Sequence, residues 1–258
     1  MTDASQAPGN GSSGAGWLDG RVALVTGGSG GIGQSLAAML ANAGAAVAVG
    51  YGANAQPARD VVAQILAAGG RAVSIHADLM RPQAAAELAE AAEQALGPVD
   101  VLISNAGLGH RQKFEDVTSA DFDEMVAVNL RAPFLLAQAA VPGMAERGWG
   151  RVLFVSSTAA FTGGIVGPHY AASKAGLHGL AHYLAARFAR AGVTVNVVAP
   201  ALIAGSGLLP GEPEMLRHQV PVGRLGRPVE VADLAMAILR NPYLTSQVVS
   251  LDGGMYPR

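Results

Sequence analysis

Short apolar stretches rich in β-branched residues alternate with longer alanine-rich stretches from residue 21 onward. Several of the short stretches are apolar at every position, which is typical of strands in a parallel sheet covered by helices on both faces. The pattern predicts seven strands, at residues 22–26, 46–50, 72–76, 99–104, 151–156, 193–199 and 247–252. It predicts six helices between them, at residues 32–43, 57–68, 82–96, 119–147, 169–190 and 229–240.

Regular alternation of strands and helices indicates an α/β fold. We therefore predict a Rossmann-type, doubly wound, parallel seven-stranded sheet with helices on both faces. No repeat or change in composition divides the chain, so residues 17–258 are predicted to form one domain. Residues 201–228 are too many for an ordinary connection and are predicted to be a lid insertion, because long loops in compact domains are usually functional.

The first residues of the chain, 1–16, are rich in Gly, Ser and Ala and contain neither a basic start nor an apolar segment. This composition predicts a disordered N-terminal tail and not a signal peptide. The uncharged stretch between Gly33 and Arg59 is long enough to span a bilayer but is interrupted by Gly, Asn and Pro. We interpret that run as a helix, a turn and a strand instead of a membrane span, and we expect a soluble protein.

Charged residues make up only 14% of the chain, well below the typical ~25%. So little charge indicates that much of the surface is covered, either by a large core or by sister subunits. Small residues that allow close helix packing, Ala171, Ala172, Ala175 and Gly176, add to this indication, and we expect a homotetramer. The formal net charge of −2 gives no reason to expect nucleic acid or a membrane as a partner. The absence of cysteine excludes disulfides and thiolate chemistry and is consistent with a cytoplasmic location.

A glycine-rich turn, VTGGSGGIG, follows the first predicted strand and opens the first predicted helix. Gly27, Gly31 and Gly33 would let backbone N–H groups approach a pyrophosphate, which would then lie at the positive end of the helix. Other polar motifs follow later strands: Asp78-Leu79, the SNAG at 104–107, Ser157 and Pro200. Because ligands bind at the carboxyl ends of strands in such sheets, we expect all these motifs in one crevice.

Tyr170 and Lys174 are four residues apart in HYAASKAG, and the residues between them are small. On a helix, such positions lie side by side, roughly 5–6 Å apart at Cβ. If a bound dinucleotide delivers hydride to a ketone, as the resemblance given in the next paragraph implies, the resulting alkoxide needs a proton. Tyrosine has an unperturbed pKa of roughly 10, and a cation within ~4–6 Å lowers it, so we expect Lys174 to make Tyr170 a usable acid. Ser157 would donate a hydrogen bond to the substrate oxygen.

The combination of TGGSGGIG, SNAG, VNL around Asn129, VSS thirteen residues before YAASK, VNVVAP and LDGG resembles the short-chain dehydrogenase/reductase family over residues 18–256. Within that family the chain is most similar to the 3-oxoacyl-carrier-protein reductase group. The resemblance implies an NAD(P)-dependent carbonyl reductase or alcohol dehydrogenase, usually tetrameric. It also implies that Ser157 is preferred over Ser156, that Lys174 binds the nicotinamide ribose, and that Asp78 meets the adenine.

The resemblance further implies that Asn129 holds a water in a proton relay from the lysine. Pro133 lies four residues later and lacks an N–H, so we expect the Asn129 carbonyl to be left without its helical donor. The predicted catalytic set is Asn129, Ser157, Tyr170 and Lys174. The predicted cofactor contacts are Gly27, Ser29, Gly30, Gly31, Ile32, Gly33, Tyr51, Asp78, Leu79, Asn105, Ala106, Gly107, Tyr170, Lys174, Pro200 and Ile203.

The residues after the second strand decide which cofactor is expected. NAD-binding sheets usually place an acidic residue there, on the ribose hydroxyls, whereas this chain has Tyr51. Without that carboxylate NADP(H) is favoured, but NAD(H) stays an alternative because Gly30 stands where phosphate-binding relatives often carry Arg. Arg59 is a candidate phosphate contact or an ordinary surface residue. Relatives also often read PGxxxT where this chain has Ala201 and Gly205, which puts one nicotinamide contact in doubt.

The leading hypothesis is an NADP(H)-preferring enzyme that reduces a ketone, such as a 3-oxoacyl thioester on a carrier, to a secondary alcohol. The alternatives are an NAD-linked alcohol, polyol or steroid dehydrogenase and a non-catalytic dinucleotide-binding scaffold. Candidate walls of the substrate pocket are Leu108, Phe161, Ile165, His169, Leu208 and Leu209. No metal site is expected, because Gly179 stands where the glutamate of an HExxH zinc motif would be.

Overall fold

Seven parallel strands form one sheet at the centre of the protein. The computed structural model describes residues 16–205, 209 and 213–256. The strands are β1 (Val22–Val25), β2 (Ala46–Tyr51), β3 (Ala72–His76), β4 (Val99–Ser104), β5 (Gly150–Val155), β6 (Val193–Pro200) and β7 (Val248–Leu251). Their order across the sheet is β3-β2-β1-β4-β5-β6-β7, and every pair is parallel. This is the predicted doubly wound fold, with the order reversing between β1 and β4.

Helices connect the strands. They are α1 (Gly31–Asn42), α2 (Ala55–Ala67), α3 (Ala84–Leu96), α4 (Ser119–Val126), α5 (Ala132–Glu146), α6 (Ala159–Thr162), α7 (Pro168–Phe188), α8 (Pro213–Leu216) and α9 (Pro228–Arg240). A π-helical turn spans Ala127–Arg131, and 3₁₀ turns span Phe114–Asp116, Ala189–Ala191 and Arg217–Gln219. The predicted long helix at 119–147 is therefore three consecutive segments, while α6, α8 and the 3₁₀ turns were not predicted.

Alternate residues of the strands pack into two separate apolar layers. Leu24 of β1 packs with Leu136 of α5 and Leu177 of α7 on one face. The next residue, Val25, packs with Leu36 of α1 on the other face. Side chains alternate across a strand, so a strand buried on both faces must be apolar at every position, as the sequence pattern indicated.

One helical stretch of the described residues, Ser119–Glu146, is long and apolar enough to cross a membrane by length and composition. Its most apolar window is 56% buried inside the fold, and Leu136, Val141 and Met144 of α5 lie in the sheet-facing layer. A core helix meets the same criterion, so packing against the sheet accounts for its apolar character.

Two of the predicted chain segments are only partly described. The tail predicted at 1–16 lies outside the described residues, apart from Gly16, whose carbonyl accepts a hydrogen bond from the Asp19 N–H at 3.0 Å. Within the insertion predicted at 201–228, the described part includes α8, a 3₁₀ turn and an isolated bridge between Ile203 and Gly226. The lid function of that insertion stays a prediction.

Candidate active site

Several strands end at the same edge of the sheet, and the residues that follow them surround one cavity of about 330 Å³. This edge is where open parallel sheets bind their ligands. The predicted site residues that line the cavity are Gly27, Ser29, Gly30, Gly31, Ile32, Asn105, Ala106, Gly107, Ser157, Tyr170, Lys174, Pro200 and Ile203. The structure thus brings the predicted phenol, ammonium and hydroxyl together with the glycine-rich turn.

The remaining predicted residues lie outside the cavity lining. Gly33 is in α1, and Tyr51 ends β2. Asp78 and Leu79 follow β3, and the Asp78 carboxylate accepts a hydrogen bond from the Met80 N–H at 3.1 Å. In the sheet, β2 and β3 lie next to β1 on the side away from β4. An extended dinucleotide that continues past the glycine-rich turn would therefore reach the residues at the carboxyl ends of these two strands. Asn129 is buried behind the cavity wall.

The glycine-rich turn depends on glycine at two positions. Gly27 has φ of +65°, which side chains disfavour. A Cβ added to Gly33 would lie 2.2 Å from the carbonyl oxygen of Gly27, so only glycine lets the start of α1 pack against the turn. The helix begins after Gly30, with no side chain capping its first N–H groups. Those uncapped N–H groups suit a pyrophosphate, so this turn fits a nicotinamide dinucleotide.

Thr26 ties the glycine-rich turn to the segment after β4. Its hydroxyl oxygen accepts hydrogen bonds from the N–H groups of Asn105 and Ala106, both at 3.1 Å. The Asn105 side-chain amide donates back to the carbonyls of Thr26 and Gly27, also at 3.1 Å. Sequence reasoning did not select Thr26. The sequence feature that could have identified it is a hydroxyl residue between the first strand and the first glycine of the turn.

Lys174 reaches the cavity from α7 and is buried. Its ammonium donates a hydrogen bond to the Val155 carbonyl oxygen at 2.9 Å and lies 5.9 Å from the centre of the Tyr170 ring. Burial lowers the pKa of Lys174 to about 8, because desolvation penalises the charged form. A Cβ added to Gly107 would lie 3.1 Å from this ammonium, so the glycine leaves the space that the lysine occupies.

The pKa of Tyr170 corrects one prediction. We expected Lys174 to lower it, but burial raises the pKa of the Tyr170 phenol, and only its hydrogen bond with Ser157 opposes that shift. The physical reason is that burial removes water from the phenol and so penalises the negatively charged phenolate. The polypeptide therefore favours the protonated form of Tyr170.

The two adjacent serines after β5 have different partners. The Ser156 hydroxyl donates to the Lys174 carbonyl at 3.0 Å and is also 3.0 Å from Nε2 of His178. The Ser157 hydroxyl accepts a hydrogen bond from the Ala159 N–H at 3.2 Å, and its interaction with the Tyr170 phenol opposes the rise in the pKa of Tyr170. This geometry favours Ser157 as the group beside the reacting oxygen, whereas Ser156 connects the end of β5 to α7.

Asn129 lies in the π-helical turn and is fully buried. Its side-chain oxygen accepts a hydrogen bond from the Leu108 N–H at 2.8 Å, and its amide donates to the Leu108 carbonyl at 3.0 Å and to the Ser173 hydroxyl at 3.1 Å. In the turn, the Ala132 N–H donates to the Ala127 carbonyl, five residues back. Such turns are frequent at functional sites. The proton relay through the Asn129 carbonyl stays a prediction.

Some predicted wall residues are not at the cavity. Ile165 and Leu209 line it, but Leu108, Phe161 and His169 do not, and Leu208 lies outside the described residues. His169 is completely buried in the fold, one residue before Tyr170, because its position on α7 faces inward. Lining residues that sequence reasoning missed include Thr162, Gln219, Met255 and Tyr256.

The histidines do not form a metal site in the described part of the chain, where no group of His, Cys, Asp and Glu side chains could hold an ion. His178 contacts Ser156 and stacks at 4.7 Å on the Phe161 ring. His182 lies 2.9 Å from the Ser246 hydroxyl. These contacts connect α7 to its neighbours, which is an ordinary structural use of histidine.

Comparison with known proteins adds an independent result. The sequence model of the short chain dehydrogenase family matches residues 21–213. The 3-oxoacyl-[acyl-carrier-protein] reductase FabG of Aquifex aeolicus is 33% identical over 245 residues, covering 93% of this chain and 98% of that protein. Acetoacetyl-CoA reductase of Cupriavidus necator is 34% identical, covering 92% and 98%. The structure of a blue fluorescent protein from a metagenomic library in complex with NADPH superposes with a TM-score of 0.87 at 34% identity, covering 93% and 99%.

Proposed function

The chain belongs to the short-chain dehydrogenase family, and from this premise we propose that it is an NADP(H)-preferring reductase of uncharged ketones, such as 3-oxoacyl thioesters. Membership makes it an NAD(P)-dependent oxidoreductase acting on a carbonyl or CH–OH group. The observation that carries the finer proposal is that Ser157, Tyr170 and a buried Lys174 line one cavity together with the glycine-rich turn.

The nicotinamide cofactor supplies the hydride. Backbone N–H groups at the start of α1 would hold its pyrophosphate. Lys174 would donate hydrogen bonds to the ribose hydroxyls. The Ser157 hydroxyl donates to the substrate carbonyl oxygen and stabilises the negative charge that develops there. Tyr170 then gives its proton to the alkoxide, leaving a secondary alcohol.

The raised pKa of Tyr170 favours this direction of reaction. A buried phenol stays protonated at neutral pH and is ready to donate. The resulting phenolate is then stabilised by the nearby Lys174 ammonium, which would also pass a proton on. In the proposed relay, the Asn129 backbone carbonyl holds the next water, because Pro133 cannot supply the N–H that a regular helix would place there.

NADP(H) is preferred in this proposal because of the charges near the end of β2. The residues there are Tyr51, Gly52, Ala53 and Asn54, so no carboxylate would repel a 2′-phosphate. The next acid, Asp60, is engaged by the Gln56 side chain at 2.6 Å. Arg59 also contacts Gln56, at 3.3 Å, and is not needed for the proposal.

The cavity walls favour a neutral substrate. Among the residues that line the cavity, Lys174 is the one with a charged side chain. Because it lies beside Tyr170, we assign it to the reaction and not to the binding of a substrate carboxylate. Ile165, Val166 and Leu202 present apolar surface instead. Burying a carboxylate there without a partner would be costly, so a ketone or thioester fits better than a sugar acid. We further propose a cytoplasmic homotetramer; light scattering tests the assembly.

Replacement of Tyr170 by Phe tests the function. With a panel of ketones that includes acetoacetyl thioesters, NADPH absorbance should show turnover by the wild type and a loss of at least about 10²-fold in kcat for Tyr170→Phe. The dissociation constant for NADPH should change little, because the hydroxyl is expected to act on the substrate. Equal turnover by both proteins would refute the assignment, and no turnover by the wild type with any ketone would refute the proposed reaction. Tyr183→Phe, on the exposed face of α7, is the matched control.

A further inference from the structure

The residues after β7 return to the active-site cavity through a short turn. Met255 and Tyr256 line the same cavity as Tyr170 and Ser157, although they lie far away in the sequence. Tyr256 is 37% exposed, so its side chain is part of the wall and part of the surface. No motif in the sequence analysis pointed to either residue.

Asp252 fixes the conformation of this turn, residues 252–256. One of its carboxylate oxygens accepts a hydrogen bond from the Gly254 N–H at 2.9 Å, and the other accepts from the Tyr256 N–H at 3.1 Å. Gly253 and Gly254 have φ of +64° and +91°, conformations in which glycine is strongly favoured. The carboxylate and the two glycines together direct the chain back towards the cavity.

The 252–256 turn also packs against the described end of the insertion. A Cβ on Gly253 would lie 2.5 Å from a methyl group of Val220, and the Gly253 carbonyl accepts a hydrogen bond from the Val222 N–H at 3.2 Å. Gln219, next to Val220, is itself a cavity-lining residue. Two segments distant in sequence are therefore connected at the cavity wall.

The residues that line the cavity can be grouped by the part of the cofactor or substrate that they are expected to contact. The glycine-rich turn, the segment after β4, the end of β6 and the residues after it surround the expected cofactor. Residues 155–159, Tyr170 and Lys174 surround the expected position of the reacting carbonyl. What remains must surround the rest of the substrate: Thr162, Gly164, Ile165, Val166, Leu209, Gln219, Met255 and Tyr256. Tyr256 is the bulkiest of these side chains, and no residue of this group is charged.

We propose that Tyr256, positioned by Asp252, is a specificity-determining residue that limits the length of the acyl or alkyl group beside the ketone. The inference rests on the proposed function and deepens it, since it makes short, uncharged ketones the preferred substrates. The ring of Tyr256 occupies the space that additional methylene groups would need. Removing the ring opens that wall, which is flanked by apolar side chains able to contact a longer chain.

The test compares 3-oxobutanoyl, 3-oxohexanoyl and 3-oxooctanoyl thioesters of N-acetylcysteamine with NADPH. The wild type should lose kcat/KM as the chain grows. In Tyr256→Ala the ratio of kcat/KM for the longest to the shortest thioester should rise by at least about tenfold, because each buried methylene group contributes about a factor of four. Tyr256→Phe should keep the wild-type ratio, since the ring remains. The matched control is Tyr243→Ala, at a surface position that is 97% exposed.

Asp252 is tested as a positioning residue. Asp252→Ala should raise the same ratio, and Asp252→Asn should restore part of the selectivity because it retains one acceptor oxygen. If Asp252→Ala lowers kcat equally for all three thioesters, its role is structural only. A Tyr256→Ala ratio within about twofold of the wild type would overturn the inference while leaving the proposed function standing. Failure of the wild type to reduce any ketone would overturn both.

Discussion

The two halves of the cavity are built in different ways. The half proposed to bind the nucleotide (the nucleotide half) is formed by backbone. Gly27 and Gly33 bring two main-chain segments into contact, and Thr26 joins them to the segment after β4. The substrate half is formed by side chains from distant segments, including Gln219 and Tyr256. Added bulk at Gly27 or Gly33 should therefore disturb the backbone that forms the first half, whereas substitutions of side chains in the second half should change its specificity.

The largest effect is expected from Gly33→Ala. The added methyl group would meet the Gly27 carbonyl at 2.2 Å, and neither backbone segment can move without disturbing β1 or α1. We expect a loss of about 3 kcal/mol in the free energy of unfolding and a large loss of NADPH affinity. Urea unfolding and fluorescence titration measure the two effects.

Gly179→Ala is the matched control for that substitution. Gly179 lies in α7 with no atom near the added Cβ, so alanine should stabilise the protein by about 0.5–1 kcal/mol. Equal behaviour of the two variants would contradict the idea that the nucleotide half is defined by its backbone.

A smaller effect is expected from Thr26→Val, which has nearly the same shape. The N–H groups of Asn105 and Ala106 would lose their shared acceptor, at a cost of roughly 2 kcal/mol. KM for NADPH should rise, while the ratio between long and short thioesters should stay unchanged. Thr26→Ser keeps the hydroxyl and should recover most of the stability. A changed chain-length ratio would show that the two halves are not independent.

Lys174 lies where the two halves meet, and its titration should be visible in stability. Its folded pKa of about 8 is below the unfolded value of 10.5, so the unfolded chain binds more protons between these values. The free energy of unfolding should therefore rise with pH above about 8, by at most about 1.4 kcal/mol per unit. Tyr170, whose pKa is raised, has the opposite effect above pH ~10.

The measurement is the difference between the wild type and Lys174→Met in denaturant midpoints from pH 7 to 10. Lys174→Met should remove the upward slope and also abolish reduction. An unchanged slope would mean that this ammonium is not desolvated. In the active wild type, kcat/KM for reduction should fall above pH ~8 as Lys174 loses its charge.

The smallest effect concerns cofactor choice. A Cβ added to Gly52 meets no atom within 4 Å, so Gly52→Asp can place a carboxylate after Tyr51 without strain. We expect the ratio of kcat/KM for NADPH to that for NADH to fall about tenfold through repulsion of the 2′-phosphate. Gly52→Asn, which is uncharged and of the same shape, is the control. An increase in the ratio with Asp would contradict the proposed NADP(H) site.

The contrast between the backbone-formed half and the side-chain-formed half of the cavity also explains which site residues could be predicted from the sequence. Gly27, Gly31 and Gly33 were identifiable because a close backbone approach leaves glycine as the acceptable residue, and Tyr170 and Lys174 because they share one helix. Tyr256 was not identifiable, because its place depends on how β7 and the insertion meet in space. The direction of the Tyr170 pKa shift was also missed, since the spacing of Tyr170 and Lys174 carries no information about desolvation.

The π-helical turn at Ala127–Arg131 also escaped prediction. Pro133 pointed to a carbonyl without its helical donor, but not to the extra residue in the turn. The turn has a consequence for the whole long helix. One extra residue in a turn rotates everything that follows by about 100° about the helix axis. Met125, before the turn, can thus pack beside Tyr170, while Leu136, after it, packs against the sheet. The extra residue thus lets one continuous helical stretch pack against Tyr170 before the turn and against the hydrophobic core after it.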